Sequence, residues 1–478
     1  MGNYPETIPP PAVPPVEPDH LGEAGLRLLF RLSLPLILNH GAVILMLFCD
    51  RMFLSWYGTD EISAVWPAIF LCWAVTSFFY SITTFVNIFV AQYHGARKNT
   101  TCAATVWQGI YYSIGTYLIL LALLPALRLI FDLFGHRPEI ARLEKTYFTV
   151  IMFSTLMWQL NNVLAGFFTG RGKTRITMTC NLIGNAVNIL LDWVLIFGHL
   201  GFPRLGILGA ALATTISSAI APAIMLVLFL GRKYQQEYRT RQQYRLRTDL
   251  IRKLLRTGAP IAFQDMMYLL STGLFFMLMG RTLPESLAAN NIAWSLNDFL
   301  TLYMHGIVLG VMTLAAQFIG AGRQADAGKI TMLGIKVIIA GTVLTALLYL
   351  LVPEKLLYFF RPREAGGDSV PFELILPRGT LVLHYLIAYN FLYGVLYCIK
   401  QALRGLGDTS FFLKTALFFD LLFFMPGILL VVHFYGTRLT ALWNFLLIYL
   451  ALVASAYYLR FRSGNWRSIY RGDLHEAE

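Results

Sequence analysis

Polar side chains recur along one face of an apolar segment at residues 181–198, which reads NLIGNAVNILLDWVLIFG. Asn181, Asn185, Asn188 and Asp192 follow helical spacing, so they form a single stripe down one side. A polar group in hydrocarbon is costly unless it has a partner or faces water, and carboxylates inside membrane helices often serve ion pathways. The stripe therefore predicts a helix whose polar face lies inside a bundle, with Asp192 as a functional candidate.

The chain as a whole has the composition of an integral membrane protein. Of its 478 residues, 57% are hydrophobic and 13% are charged, whereas soluble domains carry about 25% charged residues. The net charge of +12 is expected to follow the membrane faces, and no nucleic-acid partner is predicted. Neither metal-ligand spacing of Cys and His nor a GxSxG or HExxH motif is present, so the sequence predicts no cofactor and no enzyme.

Twelve apolar stretches are long enough to cross about 30 Å of hydrocarbon as helices. They are expected at about 29–57, 62–92, 103–131, 146–169, 176–200, 206–231, 254–282, 286–320, 325–353, 377–403, 410–434 and 437–461. The predicted fold class is an all-α integral membrane protein with twelve transmembrane helices.

The chain divides into five regions. These are a disordered, proline-rich tail at 1–24, an N-terminal six-helix lobe at 25–231, a basic linker at 232–253, a C-terminal six-helix lobe at 254–461, and a tail at 462–478. Basic residues concentrate in the linker and in loops on the same side, including Arg404. By the positive-inside rule the tails and the linker are cytoplasmic, and the protein is predicted to be a multi-pass plasma (bacterial inner) membrane protein.

Two short motifs recur at matching places in the two halves. AQYHGARK at 91–98 corresponds to AQFIGAGR at 316–323, and TGRGKT at 169–174 corresponds to RGLGDT at 404–409. Since each half has an even number of spans, the second copy enters the membrane in the same direction as the first. The repeat therefore predicts two lobes related by a pseudo-two-fold axis along the membrane normal, with a substrate path between them.

These motifs resemble those of the multidrug and toxic compound extrusion (MATE) transporters of the flippase-related (MOP) superfamily. The likeness covers about residues 25–460 and rests on LPLILNHGAVILMLFCDRMFLSWYG at 34–58, the two motifs at 91–98 and 316–323, NILLDWVLIFG at 188–198, GILGAALAT at 206–214 and ALRGLGDT at 402–409. The resemblance implies a secondary active antiporter that exports organic cations or drugs in exchange for H⁺ or Na⁺ by alternating access.

The resemblance also implies which residues couple transport to the ion. In the N-terminal lobe Asp50 of the first span matches the family's acid, and Asn188 and Asp192 match its fifth-span pair. Two other acids of the family, in the seventh and tenth spans, fall near Tyr268 and Tyr393, so this chain has lost both. This departure shifts the expected coupling site to the N-terminal lobe.

A helical rise of 1.5 Å per residue gives an independent estimate of depth. Asp50 lies ~9 Å from one membrane face, and Asp192 and Thr214, the family's sixth-span hydroxyl, each lie ~12 Å from it. Two carboxylates, an amide and a hydroxyl at one depth can share a proton or ligate Na⁺, the cation site being formed by Asp50, Asn188 and Asp192. The alternatives are an interhelical hydrogen bond for Asn188 and an ion pair of Asp50 with Arg51.

Other polar residues inside spans are secondary candidates for ion coupling. They are Asn39, Asn185, Asp265, Asp298 and Asp420, with Asp265 as the nearest C-terminal substitute for the lost acids. Hydrogen bonding between helices is the alternative for these residues, and it is favoured for Asn181 and Asn185.

Two rival functions remain open at this point. A lipid-linked oligosaccharide flippase of the same superfamily would need a strongly cationic cavity, for which Lys336, Lys400 and Lys414 are the residues to inspect. A membrane-embedded enzyme or receptor is the alternative of another class. The expected partners are a small amphipathic substrate and the lipid bilayer, and the protein is expected to be a monomer.

Overall fold

A computed structural model describes residues 21–133, 135–361 and 371–467. All regular structure in these residues is helical, and twelve helices are long and apolar enough to cross a membrane, which confirms the predicted fold class. The spans are Glu23–Tyr57, Ser63–Gly95, Asn99–Leu133, Pro138–Gly170, Thr174–Phe197, Ile207–Phe229, Thr248–Met279, Leu302–Gly320, Gln324–Leu351, Phe372–Leu406, Thr409–Tyr435 and Leu439–Arg462. The predicted tails fall largely on residues 1–20 and 468–478, which lie outside the described residues.

Two helical breaks coincide with threonines whose hydroxyls donate to backbone carbonyls. The second span is interrupted between Thr59–Thr83 and Phe85–Gly95, and Pro284–Leu300 is separated from the eighth span by Thr301. Thr84 Oγ1 donates to the carbonyl three residues earlier, and Thr301 Oγ1 donates to the carbonyl four residues earlier. Such bonds offer the chain an alternative to the regular ladder, and they often bend helices.

The segment predicted as a linker is partly helical and packed against the N-terminal lobe. It contains the helix Arg232–Tyr238, and the helix of the seventh span begins at Thr248, within the segment predicted as the linker. Three third-span side chains bind the linker backbone: Trp107 donates to Thr240 O at 2.8 Å, Gln108 donates to Arg245 O at 3.1 Å, and Tyr111 donates to Tyr244 O. We refer to the end of the molecule that carries residues 232–247 as the linker face.

The two lobes meet near the linker face through reciprocal contacts made by the repeated motifs. Gln92 Nε2 donates to Gly405 O of the other lobe at 2.9 Å, and Gln317 Nε2 donates to Gly170 O at 2.7 Å. A Cβ on Gly320 would lie 1.9 Å from Gln92 O, so only glycine allows the two backbones to approach this closely. The repeat therefore reproduces one interlobe contact twice.

Candidate functional site

The structure brings the four main candidates of the N-terminal lobe together. Asp50 is on the first span, Asn188 and Asp192 are one turn apart on the fifth, and Thr214 is on the sixth. Asn188 Nδ2 lies 3.5 Å from Thr214 Oγ1, and the carboxylates of Asp50 and Asp192 are close enough to interact electrostatically. The side chains of Asp50, Asn188 and Asp192 are buried. We call these four residues the carboxylate cluster.

The loop between the fifth and sixth spans sets this geometry. Leu205 N donates to Leu195 O at 3.1 Å, so the loop folds back onto the fifth span. Gly206 then begins the sixth span with φ of 54°, and a Cβ there would lie 2.6 Å from the ring of Tyr57. Because only glycine tolerates both the left-handed backbone and this contact, the end of the first span can pack beside the start of the sixth.

Oxygen atoms of the carboxylate cluster have hydrogen-bonding capacity that the surrounding helices leave unused. Asp50 Oδ1, both carboxylate oxygens of Asp192 and Asn188 Oδ1 are buried without a hydrogen-bond partner among the described residues. Buried polar atoms are normally satisfied, so this concentration calls for an explanation. A set made only of oxygens is the donor type that hard cations prefer, and a carboxylate oxygen can also accept a proton.

The ion pair considered for Asp50 does not form. Arg51 is close enough to act on Asp50 electrostatically, but none of the ion pairs in the described part of the chain includes this carboxylate. The guanidinium of Arg51 instead lies 5.1 Å from the ring centroid of Trp66, an arrangement typical of a cation–π contact. Asp50 therefore keeps a buried oxygen available.

Tyr147 of the fourth span belongs to this site, although no motif or spacing in the sequence selects it. Its side chain is fully buried, its hydroxyl has no hydrogen-bond partner among residues 21–133, 135–361 and 371–467, and it interacts electrostatically with Asp50 and Asp192. An aromatic residue in an apolar span looks like packing material, and no spacing rule links the fourth span to the first. The only available signal is that a buried tyrosine hydroxyl usually has a polar neighbour.

The remaining amides of the N-terminal lobe have less definite surroundings. Asn39 Oδ1 and Asn185 Nδ2 are buried, and neither atom has a hydrogen-bond partner among the residues that the structure describes. The amide nitrogen of Asn185 therefore makes no interhelical hydrogen bond within the described part of the chain, and the interhelical bonding of this residue stays a prediction. Neither residue contacts the carboxylate cluster through a hydrogen bond in the described part of the chain.

Asp265 has very different surroundings from the carboxylate cluster. It accepts a hydrogen bond from Ser81 of the other lobe at 2.6 Å, lies 3.4 Å from Lys400 Nζ, and is hydrogen-bonded by Arg404. The sequence places Arg404 in a loop, but the residue lies on the tenth span and is only 6% exposed. The expectation was wrong because the helix extends to Leu406 and turns this side chain inward.

Asp420 is also paired. It lies on a π-helical stretch, Ala416–Phe424, and Tyr449 donates a hydrogen bond to its Oδ1. π-Helical turns are rare and often occur at functional sites. The corresponding part of the fifth span is regular helix, so the two repeats differ in backbone as well as in side chains.

Asp298 has no hydrogen bond or ion pair with another candidate residue in the described part of the chain. Its side chain is exposed, whereas the preceding residue, Asn297, is buried. Asn297 Oδ1 accepts hydrogen bonds from Tyr349 at 3.0 Å and from Asn390 at 2.7 Å. The buried polar network at this place is therefore made of amides and a phenol, and it ties three helices together.

Comparison with known proteins agrees with this architecture. A family model described as MatE matches residues 35–194 and 260–429. The chain is 24% identical over 391 residues to a probable multidrug resistance protein NorM of Thermotoga maritima, covering 80% of each chain.

Two solved structures also share the fold. One is a MOP superfamily transporter from Pyrococcus furiosus, with a TM-score of 0.80 at 19% identity. The other is an outward-facing multidrug resistance MATE family transporter, with a TM-score of 0.80 at 18% identity. Each alignment covers 91% of this chain and 95% of the solved one. The chain belongs to the MatE family of membrane transporters.

Proposed function

We propose that this protein is a secondary active antiporter that exports amphipathic drugs in exchange for H⁺ or Na⁺. The observation that carries the proposal is the carboxylate cluster, in which two buried acids have no basic partner among the described residues. Relatives named as multidrug resistance proteins support the substrate class. The positive-inside rule places the linker face in the cytoplasm, and we expect the protein to act as a monomer in a bacterial inner membrane.

The chemistry of coupling follows from the cost of two unpaired carboxylates in an apolar setting. Asp50 and Asp192 repel each other when both are charged, and burial adds to this cost. A proton on either acid, or a Na⁺ between their oxygens and Asn188 Oδ1, removes the repulsion. The cluster therefore favours one bound cation, and the ion enters as a transported species.

Ion binding can change how the two lobes pack, because the first span contributes both to the carboxylate cluster and to the interface between the lobes. Asp50 is on the span that also carries His40, and the His40 ring stacks on His305 of the other lobe with centroids 4.3 Å apart. If neutralising the acids shifts this span, the interface changes with it. The ion then biases the lobes toward one state, and the drug binds the state that the ion disfavours.

Dye transport in everted membrane vesicles tests this proposal. Gradients of pH and of Na⁺ are imposed separately, so that the coupling ion is identified in the same experiment. We expect Asp192→Asn and Asp50→Asn to lower gradient-driven transport at least about tenfold. Asp60→Asn, which alters an exposed acid paired with Arg137 at 2.7 Å, is the matched control and should leave transport unchanged. Full gradient-driven transport in both cluster variants would contradict the proposal.

The flippase alternative is less well supported. Of the three lysines to be inspected for a cationic cavity, Lys336 and Lys414 are exposed, and Lys400 lies beside Asp265. A single lysine and one arginine around a carboxylate do not form the strongly cationic surface that a pyrophosphate group requires.

A further inference from the structure

A groove lies between the start of the ninth span and the end of the twelfth, and we call it the basic groove. It has a volume of about 650 Å³, within the range of about 300–1,000 Å³ that is usual for sites that hold small molecules. The ninth span begins directly after the repeated motif at 316–323, and the twelfth span ends at Arg462. The basic groove is therefore at the linker face, near the level where a membrane has its lipid head groups.

Trp466 forms the floor of the basic groove. The chain turns back after the twelfth span at Gly464, which has φ of 70°, and the Trp466 ring stacks on Phe461 with centroids 5.8 Å apart. The indole Nε1 donates to Phe461 O at 2.9 Å. A Cβ on Gly328 would lie 3.9 Å from the Trp466 ring, so the indole reaches across to the ninth span. The floor is therefore fixed in place by contacts with both walls.

The rim of the basic groove carries positive charge. Lys329 of the ninth span and Arg462 of the twelfth line it, and no acid is found among its described lining residues. The Arg462 side chain is exposed, and it takes part in none of the ion pairs within the described part of the chain. Its planar guanidinium can bind two oxygen atoms of one phosphate group.

The two acids closest to the rim are bound by other basic residues. Asp326 Oδ2 accepts a hydrogen bond from Arg323 at 2.7 Å, and Asp326 Oδ1 lies 3.9 Å from Lys329 Nζ. Asp408 accepts a hydrogen bond from Arg460 at 2.6 Å, on the side of the twelfth span that faces the eleventh. Two acids thus accompany four described basic side chains, and the rim keeps a net positive charge.

The ninth-span wall continues into a surface that faces lipid. Exposed apolar side chains recur on it at helical spacing: Met332, Ile339, Val343 and Leu347. Lys336 lies on the same stripe and is exposed. A charge in hydrocarbon is costly, so a lysine at such a place extends its ammonium toward the head groups. Since helical side chains point toward the helix N-terminus, which for the ninth span is at the linker face, Lys336 extends toward the basic groove.

We propose that the basic groove binds an anionic phospholipid from the leaflet at the linker face. Lys329 and Arg462 hold the phosphate group, Lys336 approaches it from the hydrocarbon side, and the acyl chains lie along the apolar stripe. Basic clusters beside membrane helices attract anionic lipids. The apolar stripe next to the rim favours a lipid over a free phosphate ion or an acidic protein segment. This inference goes beyond the proposed export function and holds whichever ion drives transport.

Competition between lipids of different charge tests the proposal. Phosphatidylglycerol with a pyrene-labelled acyl chain is bound to the purified full-length protein in detergent micelles, and energy transfer from tryptophan to pyrene reports binding. Unlabelled anionic phosphatidylglycerol should displace the probe at a mole fraction at least about tenfold lower than zwitterionic phosphatidylcholine with the same acyl chains. Inorganic phosphate should not displace the probe more than chloride does at equal ionic strength.

Substitutions then locate the preference for the anionic lipid. Lys329→Gln and Arg462→Gln should each reduce it about fivefold, and the double variant should abolish it. Lys414→Gln is the matched control, since Lys414 is an exposed lysine of the eleventh span that does not line the basic groove. This control should keep the full preference, as should Asp192→Asn.

Four results would each overturn the proposal. They are equal displacement by the two lipids, specific displacement by inorganic phosphate, an unchanged preference in the double variant, and an equal loss in Lys414→Gln. The melting temperature of each variant without added lipid shows that it is folded. Because Asp192 is remote from the basic groove, a failure of the coupling proposal leaves this one unaffected.

Discussion

Both lobes bury acidic side chains, but the partners of these side chains differ between the two lobes. In the N-terminal lobe both oxygens of Asp192 lack a partner among the described residues, and so does the buried Oδ1 of Asp50. In the C-terminal lobe Asp265 is surrounded by Lys400 and Arg404. Binding a further cation stabilises a carboxylate only slightly when it already has two basic neighbours. It stabilises two adjacent carboxylates strongly when neither has a basic neighbour. The difference supports the proposal that ion coupling takes place in the first lobe.

The largest effect on stability is expected at the paired acid. Asp265→Asn leaves Lys400 and Arg404 without their counter-charge in a partly buried site, which costs about 3 kcal/mol. Thermal unfolding of the purified protein measures this loss. The double variant Asp265→Asn with Lys400→Gln should recover part of it, since one uncompensated charge is removed. An unchanged melting temperature in the single variant would show that Asp265 does not neutralise the charges of Lys400 and Arg404.

The corresponding substitution of the unpaired acid, Asp192, should change stability in the opposite direction. Asp192→Asn removes a fully buried carboxylate that has no hydrogen-bond partner in the described part of the chain, so the protein should become more stable by about 1 kcal/mol. The melting temperature should therefore rise while gradient-driven transport falls. A large destabilisation would instead mean that Asp192 has a structural partner in the folded state.

Tyr147→Phe should weaken ion binding without unfolding the protein. Removing a hydroxyl near Asp50 and Asp192 should lower the apparent affinity for the coupling ion about two- to tenfold. The ion concentration that gives half-maximal transport measures the change. Tyr349→Phe is the matched control. The Tyr349 hydroxyl donates to Asn297, and both residues belong to the C-terminal lobe, so this substitution should affect stability only.

The smallest expected difference in stability between the two lobes is at the glutamine contact that both repeats make. Gln92→Ala and Gln317→Ala each remove one hydrogen bond to a carbonyl of the opposite lobe, at a cost of about 1 kcal/mol each. The two variants should lower the melting temperature equally, in contrast to the acids, whose substitution has opposite effects in the two lobes. Clearly unequal losses would indicate that the lobes are asymmetric at this contact as well.

Most of the fold could be predicted from the sequence because the membrane imposes length and apolarity on each span. The helical stripe of Asn188 and Asp192 also lies on one face as predicted, since helical periodicity is a local property. Thr214 could be placed beside them by a simple count from the span ends. These features depend on one helix at a time or on the thickness of the bilayer.

The features that could not be predicted depend on which helices pack side by side. Tyr147 approaches the acids only because the fourth span packs against the fifth and sixth, and no local pattern encodes that neighbourhood. Arg404 was mistaken for a loop residue because the end of its helix could not be located to within one turn. The helix Arg232–Tyr238 was missed because the charged composition of its segment resembles that of a solvated linker.

Ion release by the purified protein tests the central claim most directly. Substrate is added to protein in weakly buffered detergent solution, and a pH indicator reports released protons while bound radioactive sodium reports released Na⁺. We predict that the wild-type protein releases one of the two ions, that Asp192→Asn releases neither, and that Asp420→Asn, which retains an acceptor for Tyr449, releases as much as the wild type. Undiminished release by Asp192→Asn would contradict the assignment of ion coupling to the N-terminal lobe.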